Sequence, residues 1–128
     1  MNLAKAMFRS LWQSNIWIAC NALALHILIG ECLGLTPDWA TSFVVFGGTC
    51  FVYNALRYRV RNDKDTSAHP MVAWQVRHEG LSQALMLLGL GTAAIGAIRL
   101  PLTILIVLII AFGLVWIYMQ FLRAVGWL

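Results

Sequence analysis

The chain has 128 residues, 61% of them hydrophobic and 11% charged, with a net charge of +4. Soluble domains carry about 25% charged residues, and a mean hydropathy of +0.78 is too apolar for one small water-soluble core. This composition argues against a soluble enzyme. The basic balance reads as membrane topology and anionic lipid rather than nucleic acid.

Residues 1–13 place Leu3, Ala4, Met7, Phe8, Leu11 and Trp12 on one helical face and Lys5, Arg9 and Gln13 on another. That pattern fits a short helix lying in the membrane interface, or equally the start of the first span. Four apolar stretches follow, at roughly 14–35, 38–58, 80–98 and 101–121. Each can cross a ~30 Å hydrocarbon layer as a helix, whose backbone hydrogen bonds are satisfied internally. The expected fold is therefore all-α and integral to the membrane: one domain over 1–128, a bundle of four antiparallel transmembrane helices, with an N-terminal interfacial helix as an option.

The first span carries Asn15, Asn21, His26 and Glu31. Ionisable groups at membrane depth are costly and usually face protein or water. His26 reads either as a substrate or proton contact or as a neutral histidine bonded to a neighbouring helix. Thr36-Pro37-Asp38 breaks the chain, with Asp38 or Thr36 available to cap the next helix. The second span sets Ser42, Phe46, Thr49, Tyr53 and Arg57 on one stripe, with Asn54 beside it and Gly47-Gly48 permitting a close helix approach. Residues 59–79 are the one sizeable polar segment, in which Met71-Val72-Ala73-Trp74 forms an amphipathic piece for the membrane surface. The third span has a small-residue face of Gly89, Ala93 and Gly96, suited to tight packing. Arg99-Leu100-Pro101 makes the second short turn. The fourth span, rich in Ile, Leu and Val, reads as the most lipid-exposed. Cys20, Cys32 and Cys50 lie inside spans and read as small apolar residues.

Lys5, Arg9, Arg57, Arg59, Arg61, Lys64, Arg77 and Arg123 fall on one side of these spans and only Arg99 on the other. By the positive-inside rule both termini and the 59–79 segment are cytoplasmic, as in a bacterial inner-membrane protein. No Gly-rich phosphate loop, HExxH or paired cysteines appear, so no residue is assigned as catalytic. Asp63 and Asp65 are the one pair of close carboxylates, a candidate for holding a magnesium ion through a shared phosphate. No other cofactor is indicated.

The run from Phe43 to Asn54, FVVFGGTCFVYN, ends a second span and precedes a cytoplasmic segment. With Ser14-Asn15-Ile16-Trp17-Ile18 and Trp74, it resembles the N-terminal half of the UbiA superfamily of membrane prenyltransferases. That resemblance implies a longer all-helical bundle whose second helix ends in Asn-Asp-x-x-Asp-x-x-x-Asp, the carboxylates holding magnesium on a prenyl diphosphate. Asn54 matches the motif's Asn, but Ala55 follows it, and Arg57 lies within the motif. A match shifted to Asn62-Asp63 places Thr66 at the second Asp position.

Two readings follow. In the first, the chain keeps an isoprenoid- or lipid-phosphate-binding groove lined by His26, Thr49, Tyr53, Asn54 and Arg57, without intrinsic transferase activity. In the second, it is a non-enzymatic membrane subunit or assembly factor, docking a second copy or a larger complex through an exposed Gly89/Ala93/Gly96 face, with the 59–79 segment binding lipid headgroups.

Overall fold

The computed structural model describes residues 2–60 and 70–126. Among the described residues there are six helices: α1 (Leu3–Gln13), α2 (Ile16–Cys32), α3 (Trp39–Val60), α4 (Pro70–Arg77), α5 (Glu79–Arg99) and α6 (Leu102–Ala124). Three of them, α3, α5 and α6, are long and apolar enough to cross a membrane, and α1 with α2 makes a fourth candidate if the two count as one broken span. The protein is thus all-helical, with three to four candidate membrane spans.

The break between α1 and α2 bends the chain by 69°. It is built on Asn15, the one described non-glycine residue with positive φ, at 66°. Asparagine is among the few side chains that visit this left-handed region routinely. The N-terminal segment is therefore a helix of its own, set at an angle to the first span. Phe8, Trp12 and Trp17 form an aromatic row across the bend, with neighbouring ring centroids 6.5 and 6.2 Å apart. All three are exposed.

The first span ends earlier than residue 35. Gly34 has φ 69°, Leu35 N–H donates to the Gly30 carbonyl at 2.8 Å, and Gly34 N–H donates to that of Glu31 at 3.0 Å. This pair of bonds is a Schellman ending, in which a left-handed glycine lets the chain turn back on orphan carbonyls. Four residues later Asp38 caps α3, its carboxylate accepting from Ala40 N–H and Thr41 N–H, each at 3.4 Å. The polar segment 59–79 is not a plain connector, since it contains α4. Pro70 stands at the first helical position, where a missing N–H costs nothing.

Helix α3 is central and contacts α2, α4, α5 and α6. Its tightest partner is α5. A Cβ at Gly47 would lie 2.5 Å from Gly89 O and 2.6 Å from Ala93 N, and a Cβ at Gly89 would lie 2.8 Å from Gly47 O. Gly96 makes the same kind of approach to Ala40 and Val44. Backbone against backbone is what small residues allow, and in lipid such close packing supplies much of the association energy. The Gly89/Ala93/Gly96 face that would have to be exposed to dock a partner is covered by α3 of the same chain. Helix α6 is the reverse case, with no buried residue along its length. It meets α3 where Phe112 lies over Gly48.

Candidate functional site

The stripe on α3 divides into two environments. Thr49 and Tyr53, with Val52, face a cleft whose other walls are Ile18, Asn21, Ala22 and Leu25 of α2 and Phe112 and Val115 of α6. Its volume is about 350 Å³. The walls are mostly aliphatic or aromatic, with the Asn21 amide, the Thr49 hydroxyl and the Tyr53 phenol as the polar groups. This is the composition expected of a pocket for an apolar ligand with one or two orienting contacts.

Asn54 and Arg57 turn away from that cleft, toward the α1–α2 break. Arg57 Nη1 donates to the Gln13 carbonyl at 2.6 Å. Asn54 is fully buried, and its Nδ2 donates to the Cys50 carbonyl at 2.8 Å and to the Ser14 carbonyl at 3.4 Å. Gln13 and Ser14 lie where α1 ends, so their carbonyls are among the orphan acceptors every helix leaves at its C-terminus. A cation there also meets the negative end of the helix dipole. The expectation that Asn54 and Arg57 line a common groove with Thr49 and Tyr53 is thus divided: the pair fastens α1 to α3. The reason is geometric. Residues 49, 53 and 57 lie on a slowly turning line along a straight helix, and different neighbours cover its two ends.

His26 is half-buried on α2, and its Nε2 has no hydrogen-bond partner. It does not line the cleft formed by Thr49 and Tyr53. Asp63 and Asp65 lie outside the described residues. Among the described residues no group of three or more His, Cys, Asp or Glu is gathered as a metal would require. Gly89 and Gly96 are buried against α3.

Two features were missed by sequence reasoning. The first is Asn15: it is fully buried, and both its amide nitrogen and its amide oxygen lack a partner, as does Asn54 Oδ1. The second is a hollow between α1 and α4 with a volume of about 410 Å³, into which Arg9, Ser10, Gln13, Trp74, Arg77 and His78 face. Its signal was present as two basic amphipathic segments, but nothing in their spacing says that they meet.

No family model, curated protein or solved structure matches the chain.

Proposed function

We propose that this is a small multi-pass membrane protein that binds an isoprenoid or similar lipid phosphate, its apolar chain lying in the cleft between α2, α3 and α6. The observation that carries the reading is the cleft itself, which pairs aliphatic walls with Thr49 and Tyr53 on the stripe that resembles the end of the second helix of UbiA-type prenyltransferases. In this reading α1 lies in the interface and the 17 residues of α2, at the lower end of what a crossing needs, complete four antiparallel spans, with both termini and the 59–79 segment on the cytoplasmic side of a bacterial inner membrane. The eight-to-one distribution of basic residues supports that orientation. With Ala55 following Asn54, the chain acts as a lipid-binding relative of the prenyltransferases rather than as a transferase on its own.

The test is saturable binding of farnesyl diphosphate to the detergent-purified protein, with and without magnesium. Ala22→Trp, which fills the cleft from a half-exposed position, should weaken binding about tenfold, equivalent to ~1.4 kcal/mol. Tyr53→Phe keeps the shape and should have a smaller effect. Magnesium dependence would assign Asp63 and Asp65 to the diphosphate. Wild-type protein that shows no saturable binding, or an Ala22→Trp variant that binds like wild type, would sink the proposal.

A further inference from the structure

We infer that the hollow between α1 and α4 binds the phosphate of an anionic lipid headgroup at the membrane surface. Two arginines reach it from different helices, Arg9 from α1 and Arg77 from the last turn of α4. Paired guanidinium forks suit phosphate oxygens because each offers parallel N–H donors. Ser10 adds a hydroxyl. His78 Nδ1 lies 3.1 Å from the Trp74 carbonyl. That oxygen only accepts, so Nδ1 carries a proton, and Nε2 donates to a phosphate oxygen when the ring is the doubly protonated imidazolium. The imidazole is held in place by stacking on the buried Trp74, ring centroids 4.8 Å apart. Among the described residues the lining contains no carboxylate.

The bilayer, rather than the aqueous phase, is the source of the phosphate because of the other face of α1. Leu3, Met7, Phe8, Leu11 and Trp12 are all exposed on the helix that supplies Arg9 and Ser10. An apolar face beside a basic one sets a helix at the boundary between headgroups and acyl chains. A hollow on that helix then opens at the level of the lipid phosphates. This inference is independent of the cleft reading, since the two cavities share no lining residue.

The experiment is native mass spectrometry of the full chain, comparing retained phosphatidylglycerol and phosphatidic acid with phosphatidylcholine. Wild type should prefer the anionic lipids. Arg9→Gln and Arg77→Gln should each reduce that preference about tenfold, the order expected for losing a charge-assisted hydrogen bond to phosphate. Lys5→Gln removes a charge from α1 outside the hollow and should cost no more than the roughly fivefold of general surface attraction. Inorganic phosphate should compete only weakly with the lipid. An equal loss in Lys5→Gln would show general surface attraction and overturn the site. No anionic preference in wild type would also overturn it, as would inorganic phosphate binding as tightly as the lipids. Ala22→Trp should keep the anionic preference, so failure of the cleft proposal and failure of this one are separable.

Discussion

Helices α5 and α6, both long and apolar enough to cross a membrane, are held in opposite ways. Helix α5 is the less hydrophobic of the two, with a span hydropathy of 1.7 against 2.7 for α6, yet among the described residues it makes the tightest interface, and no residue of α6 is fully buried. In water the order would be reversed, because burial would follow hydropathy. In lipid the acyl chains solvate leucine and isoleucine as well as a neighbouring helix does. Packing then goes to the helix whose small residues let backbones touch. Gly47 and Gly48 show the difference within one turn: the first faces the backbone of α5, the second faces the ring of Phe112 on α6.

The sharpest way to break the comparison is Gly47→Ala. Its Cβ would meet backbone atoms of Gly89 and Ala93, which move only if two helices separate. Overpacking typically costs about 1–3 kcal/mol, and the ~1 kcal/mol gain in helix propensity offsets only part of it. Unfolding in mixed micelles should show a clear loss. Gly48→Ala is the milder case, because the Phe112 ring can swing aside on a helix that is otherwise unburied. Its net effect should fall within about 1 kcal/mol of zero by the same propensity term. Combining it with Phe112→Ala should cancel whatever cost remains, so a double-mutant cycle on these two residues measures the α3–α6 contact directly. The smallest effect belongs to Leu114→Ala on the exposed face of α6, expected within ±0.5 kcal/mol as for substitutions away from packed features. A loss there as large as that of Gly47→Ala would mean that this face is covered in the membrane.

Hydropathy and turn residues made the membrane helices legible in the sequence. The boundaries at Asp38 and Pro101 were readable because capping and proline chemistry are local. So was the bare character of α6. What could not be read was which helix covers which face. The Gly89/Ala93/Gly96 face announces close packing without naming its partner, and α3 supplies that partner from the same chain. Asn54 and Arg57 looked like ligand contacts because polar groups near a span's end so often are. Their acceptors on the N-terminal segment, the Ser14 and Gln13 carbonyls, lie 40 and 44 residues away, at a helix end that exists only because Asn15 takes a left-handed conformation. Ser14-Asn15 is a weak signal, since asparagine is also tolerated inside a helix at a modest cost in propensity. The hollow between α1 and α4 was hidden for the same reason: its halves are distant in sequence.

The bond from Arg57 to the Gln13 carbonyl also bears on how the protein sits in membranes of different thickness. An arginine at the end of a span ordinarily seeks lipid phosphate, and the helix slides or tilts until it finds some. Here that charge already has an acceptor within the protein, on a segment whose aromatic row favours the headgroup layer. With α1 in the interface, as proposed above, the level at which α3 leaves the bilayer would be set by α1, like a float fixed to a post, and thinning the bilayer would tilt the two together.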